Sequence, residues 1–229
     1  SDSEVFKGEG IDNNEGMGTL TIGNAKYAIE QEGMGTFDLI INLDEASISK
    51  FENKGNYSTV KSIIKFKIVK LGMNLYTYEA TSEEKYRENQ LINFSSKTNQ
   101  NKKTKNTEII FDEKNKELQV SGSENTLISP KEYPVGTWWN HEIVQAKAQI
   151  SAISGRIIEQ KVTFLGKEQI NLYGKNYNAL RFNFSSSDES LPDKKKLNTD
   201  VWYDEKTKLW LKAAFDKTGY WEYRLKNYN

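Results

Sequence analysis

Apolar and polar residues alternate with a period of two along most of this chain. Phe37, Leu39, Ile41 and Leu43 share one face of an extended segment, as do Ile64, Phe66 and Ile68, with Lys65 and Lys67 opposite. Leu180, Phe182 and Phe184 do the same against Arg181 and Asn183. Near the C-terminus Leu209, Leu211, Ala213 and Phe215 alternate, followed by Trp221, Tyr223 and Leu225 against Glu222 and Arg224. One dry face and one wet face is the pattern of antiparallel sheet, because parallel strands covered on both sides read as continuous apolar runs. Roughly twelve to fourteen short strands are expected, with no long stretch of helical periodicity.

The turns agree with this. "FDEKNKEL" (111–118), "YDEKTKLW" (203–210) and "FDKTGYWEY" (215–223) share a plan in which an aromatic strand end is followed by Asp, Lys and a turn former. An Asp side chain in that position accepts hydrogen bonds from backbone amides just ahead of it, so all three read as tight hairpins. The best helix candidate is "WNHEIVQAKAQI", which predicts one short helix near 141–149 with Asn140 as N-cap and Glu142 in its first turn. Glu15-Gly16-Met17-Gly18-Thr19 recurs as Glu32-Gly33-Met34-Gly35-Thr36, and a bent strand used twice explains it better than a phosphate loop, since neither copy leads from strand to helix. "KTNQNKKTKN" (97–106) and "SSSDESLPDKKKLN" (185–198) read as mobile polar loops, too short to be interdomain linkers. The expected fold is a single all-β domain over 1–229, a strongly curved antiparallel sheet forming a barrel or half-barrel. The strand topology of its Gly-rich first 55 residues is left open.

Composition narrows the function classes. Lys plus Arg and Asp plus Glu both number 32, so no net field draws in nucleic acid or an anionic membrane. There is no cysteine, which removes thiol catalysis, thiolate metal sites and disulfides together. No apolar run approaches the ~20 residues of a helical membrane span. The chain starts without Met, as a mature form whose signal was removed or a recombinant form would.

Candidate chemistry is sparse. His141 is the only histidine, so one imidazole would have to serve any hydrolytic triad, and no G-x-S-x-G elbow surrounds a serine. Zinc wants three or four nitrogen or sulfur ligands, more than this sequence offers, and "DNNEG" (12–16) does not have the spacing of a calcium loop. Carboxylates occur in pairs: Glu83 with Glu84, Asp112 with Glu113, Asp188 with Glu189, Asp204 with Glu205. Several of these have a role in turns, and sequence does not show whether any two flank a cleft. The aromatic residues are the stronger signal, for Trp138, Trp139, Trp202, Trp210 and Trp221 all fall in the C-terminal half. Trp202 and Trp210 oppose Val201/Tyr203 and Leu209/Leu211, so both faces there carry large apolar groups. Either a segment such as 136–148 covers the second face, or that face lines a cavity or groove.

"TWWN" (137–140), "SGRIIEQKVTFLGKEQINLYG" (154–174), "NALRFNF" (178–184), "VWYDEKTKLWLKAAF" (201–215) and "GYWEYRL" (219–225) resemble, in order, the bacterial domain-of-unknown-function family six-one-three-four. "YTYEATSEEKYRENQLINFSSKTNQN" (76–101) is similar to its upstream segment, so the resemblance spans about 57–226. It implies an exported bacterial protein of antiparallel strands, with no activity assigned to the family and no catalytic residues to carry over. The Gly-rich N-terminal part departs from the short strand pair around an I-G step with which the family usually begins.

The leading expectation is therefore a periplasmic or secreted, non-catalytic binding or carrier module for a lipid or another apolar or amphipathic ligand. By analogy of fold alone, large exported sheets that curl into barrels often hold such ligands. Trp138, Trp139, His141, Trp202 and Trp210 are the candidate ligand-binding residues; no cofactor, metal, nucleic acid or membrane-spanning segment is expected. The alternatives are a structural or protein-interaction module of the cell envelope, and a hydrolase-type enzyme using His141.

Overall fold

The computed structural model describes residues 15–22, 25–33, 57–70, 73–123, 125–216 and 220–225. Two antiparallel sheets curl into a half-barrel. The six-stranded sheet is a meander of β3 (Tyr57–Lys70), β4 (Met73–Arg87), β5 (Gln90–Gln100), β6 (Lys103–Asp112), β7 (Glu117–Gly122) and β8 (Thr126–Pro130), in that order. The eight-stranded sheet takes in both ends of the chain. It comprises β1 (Glu15–Ile22), β2 (Ala25–Gly33), β9 (Ala148–Ile150), β10 (Ile157–Leu172), β11 (Lys175–Ser186), β12 (Asn198–Asp204), β13 (Trp210–Asp216) and β14 (Tyr220–Leu225). Its order is β1-β2-β14-β13-β12-β11-β10-β9, so the first hairpin closes onto the last strand.

The predicted patterning carries over into burial. Phe184, Val201, Tyr203, Leu211 and Ala213 are fully buried on the eight-stranded sheet, while Phe94, Ile109, Leu118 and Val120 form the second core on the six-stranded one. Two of the three predicted hairpin turns use the expected device. Asp112 Oδ1 accepts from the amides of Lys114 and Asn115, and Asp204 Oδ1 from those of Lys206 and Thr207. The turn at 217–219, the strand expected at 37–43, residues 34–36 of the second Gly-rich copy and residues 12–14 of "DNNEG" lie outside the described residues.

Two expectations change. The segment 97–106 is not a mobile loop: it is the β5–β6 hairpin, turned by Asn101 and Lys102 with φ of 47° and 68°. Positive φ at both turn positions matches the right-handed twist of the flanking strands, and the polar composition reflects strands with little apolar surface to bury there. The helical segment is shorter and tighter than 141–149, a 3-10 helix over His141–Gln145, and Ala148–Ile150 is strand. Its start is as read: Asn140 is the N-cap and its side chain accepts from the Glu142 amide.

Between β8 and β10 the chain leaves the sheets and straps them together. Val135 bridges to Ile150 of β9 in parallel, and the amides of Gly136 and Ile150 donate to Ile150 and Pro134 carbonyls. The buried Gln160 on β10 donates to the carbonyls of Ile143 and Ala146, satisfying acceptors that the short helix leaves open at its end. Trp139 of this strap packs against both cores.

Candidate functional site

Trp138, Trp139 and His141 come together on the strap, but they face different neighbours. The chain turns at Trp138–Trp139, and the two rings take different principal neighbours. Trp139 turns to the six-stranded sheet, its ring edge-on to Tyr86 at 5.9 Å and its Nε1 donating to Glu84 Oε2 at 3.0 Å. Trp138 packs on the other core, and its carbonyl accepts from the Tyr203 hydroxyl at 2.8 Å. His141 follows Trp138. Its imidazole meets Tyr203 edge-on at 4.8 Å and Phe182 at 6.0 Å.

Trp202 and Trp210 do not join this group as one surface. Trp202 lies across from Arg181 and Lys212, and both cations sit over its ring, at 4.8 and 4.0 Å, while its Nε1 donates to Glu168. It is therefore buried beneath charged side chains on the face opposite Val201 and Tyr203. A bulge between Trp202 and Tyr203 shifts the register by one residue and pairs Tyr203 with Trp210, so the two tryptophans belong to opposite faces. Trp210 is buried, and its Nε1 has no hydrogen-bond partner among the described residues.

Around His141 the eight-stranded sheet is incompletely covered. β10 bulges between Phe164 and Gly166, where Gly166 adopts φ of 128°, and the alternation of the strand is lost. Phe164 and Leu165 are 52% and 49% exposed. Phe164 pairs with Phe182 across the strands, ring to ring at 5.2 Å, which places it on the same face as the imidazole. The result is a short run of rings, Phe164, Phe182, His141 and Tyr203, open at one end and buried at the other. Burial, followed by the charge of nearby Lys208, holds the imidazole below its ordinary pKa, and its Nε2 has no partner among the described residues. No carboxylate or hydroxyl among the described residues bonds to that Nε2, and no group of three His, Asp or Glu among them is placed to hold a metal.

The most perturbed acid lies elsewhere. Glu84 is fully buried in a cross-strand row whose other members are all apolar: Val60, Phe94, Ile109, Val120 and Leu127. Its Oε2 accepts from Tyr86 and Trp139, and its Oε1 from the Thr137 hydroxyl, each at 3.0 Å. Desolvation outweighs these three bonds and lifts its pKa from the ordinary 4.5 to about 7. The same burial, with Glu84 beside it, pushes the Tyr86 hydroxyl well above its usual range. Sequence reasoning noted Glu83–Glu84 only as one of several acid pairs. In a strand, however, two consecutive glutamates must point opposite ways, and Tyr86 shares the Glu84 face. Glu83 takes the wet side, paired with Lys61 and Lys85 at 3.3 and 3.0 Å.

The T-W-W-N segment is thus a fastening for both sheets, through Thr137, the Trp138 carbonyl, Trp139 and the Asn140 cap. Residues 45–226 match the model of the family described as Domain of unknown function (DUF6134). The chain belongs to this family. No curated protein matches the sequence significantly. Among solved structures, the chain is similar to a beta-barrel-like protein of domain of unknown function DUF1849 from Brucella abortus. The TM-score is 0.54 at 9% identity, over 100% of this chain and 99% of that one, so the likeness is one of fold. No helix among the described residues is long and apolar enough to cross a membrane.

Proposed function

We propose that this DUF6134 chain is an extracytoplasmic binding or carrier module whose apolar or amphipathic ligand lies along the open end of the ring run at Phe164, Leu165, Phe182 and His141. The observation that carries this reading is the exposure of Phe164 on the face that elsewhere forms the core, with Leu165 exposed beside it at the bulge. A sheet that buries its aromatics along most of its length and then leaves two large apolar side chains half in water offers a ligand surface that excludes water at little structural cost. The bulge at Gly166 is what opens it. Lys208, whose charge reaches His141, gives the rim a cation that suits a polar or anionic head group.

The test is native mass spectrometry with lipid extraction, applied to protein purified from its own host. The comparison is a Phe164→Asp/Leu165→Asp double variant at these two half-exposed sites, with thermal stability measured alongside as the check on its fold. The wild-type chain is expected to carry an apolar molecule that the variant lacks at equal thermal stability. Equal recovery from both, or an empty wild-type protein, defeats the reading.

An empty wild-type protein favours a protein-interaction module of the cell envelope instead. Ile110 and Ile128 are 54% and 61% exposed and flank Gln119 in one outer row, ending at the short edge strand β8. Such an edge can pair with another chain.

A further inference from the structure

Glu84 has no place in the ligand reading, yet its surroundings are unusual for a carboxylate. On β3 and β5 it faces Val60 and Phe94. On its own strand it faces Tyr86, and on the strap Thr137 and Trp139. Glu142, in the first turn of the 3-10 helix, adds a negative charge near Tyr86. Among the described residues no lysine or arginine bonds to Glu84, so every partner it has is a neutral donor.

We propose that Glu84 is a proton-operated latch: protonated it holds the strap over 137–145 against the six-stranded sheet, and ionised it lets the strap open. The neutral acid keeps all three contacts without a charge: its carbonyl oxygen accepts from the Trp139 indole and the Tyr86 hydroxyl, and its own hydroxyl donates to Thr137 Oγ1 once the Thr137 hydroxyl, which donates to the ionised form, turns away. The ionised acid keeps three donors but places a full charge in an apolar row with no cation, and the proton goes to solvent. Two of the three donors, Thr137 and Trp139, belong to the strap and are only half-buried, so lifting the strap hydrates the charge without unzipping a strand.

The direction follows from the titration. Closed, Glu84 titrates at about 7; open and hydrated, it returns to the ordinary 4.5. Closure is therefore favoured fully below 4.5, and opening grows by about tenfold per pH unit until it levels off above about 7. The full range is on the order of a hundredfold. His141, on the same strap, works in the opposite sense, because its imidazole is held below its ordinary pKa and acid loosens it. Opening would draw Trp138 and His141 away from Tyr203 and Phe182. The latch concerns the strap itself and stands whether or not the ring run binds a ligand.

The experiment is amide hydrogen exchange on the full chain at pH 5 and pH 8, expressed as protection relative to intrinsic rates, with β6 and β7 amides as reference. Amides of 137–145 are expected to lose roughly a hundredfold in protection between the two pH values while the reference amides hold. Glu84→Gln, which keeps the shape and both bonding senses of the neutral acid, is expected to be as protected as wild type at pH 5 and to lose no protection towards pH 8, gaining only what a neutral His141 adds. A wild-type strap with pH-independent protection, or a Glu84→Gln strap that loses it as wild type does, overturns the latch. A carbon-detected titration of the Glu84 carboxyl needs no variant: a midpoint near 7 supports the proposal, and one near 4.5 overturns it.

Discussion

At the scale of single residues, the two adjacent tryptophans differ in kind. Trp138 contributes its backbone carbonyl and its bulk, whereas Trp139 contributes a particular N–H to a buried carboxylate. Replacing Trp139 by Phe keeps most of the packing and the edge-on contact with Tyr86 but leaves Glu84 one donor short. Leaving a buried acceptor unsatisfied costs about 1–3 kcal/mol, and more when the group is charged. Because Glu84 is largely neutral at pH 5 and largely ionised at pH 8, the cost is expected to be larger at pH 8. Urea denaturation at the two pH values checks this; equal losses would mean that Trp139 acts through packing alone. Trp202 illustrates the other outcome for an aromatic residue opposite core positions. It carries no bare apolar face to solvent, since Arg181 and Lys212 cover its ring and Glu168 takes its N–H.

At the scale of elements, close approach rather than propensity sets the tightest constraint. β7 ends at Gly122, against which the loop before β10 passes so closely that a Cβ would lie 2.0 Å from the Ser154 carbonyl oxygen. Both groups are backbone, so neither rotates away. Gly122→Ala is expected to destabilise by about 2 kcal/mol or more, read as a lowered urea midpoint, because overpacking of this kind forces backbone shifts. This contact joins residues 32 apart and left no pattern in the sequence. Strands with one dry face were legible, as were the Asp-led turns, because period-two alternation and Asp capping are local. The turn end of the β5–β6 hairpin was not: there the buried positions are Thr98 and Thr107, which alternate with other polar residues. The bulge in β10 had a visible signal, Phe164-Leu165-Gly166, where two consecutive apolar residues and a glycine break the alternation. The strap was half legible. Its cap and first turn follow from Asn140 and Glu142, but its fastening depends on Glu84 and Tyr203, 53 or more residues away in sequence.

At the scale of the whole molecule, the pH dependence of stability is decided by a few groups, because 32 basic and 32 acidic residues leave no net charge near neutrality to drive self-repulsion. Glu84 binds its proton more tightly folded than unfolded, so stability falls as pH rises from 4.5 towards 7 and is flat above that. The histidine does the reverse: His141 is harder to protonate when folded, so its contribution falls as pH drops below 6.5. Between these two, Glu84 dominates, since it is fully buried and strongly shifted while His141 is half-exposed. At the acid end, Glu83 is held below its ordinary value by its bonds to Lys85 and Lys61, Asp112 by hydrogen bonds in its turn, and Asp204 by turn hydrogen bonds and the Lys206 charge that together outweigh its burial; their contributions are lost as pH falls through those depressed values. The thermal midpoint is therefore expected to peak on the acid side of neutrality, between about pH 4.5 and 6, and to decline towards pH 7.5. Glu84→Gln removes the decline above pH 4.5 and leaves the gain from a neutral His141, which grows as pH rises to about 6.5 and is flat beyond it, so its optimum moves to neutrality. Scanning calorimetry of both proteins from pH 4 to 8 decides the matter: parallel curves would mean that Glu84 does not govern the pH response of this fold, whatever its burial.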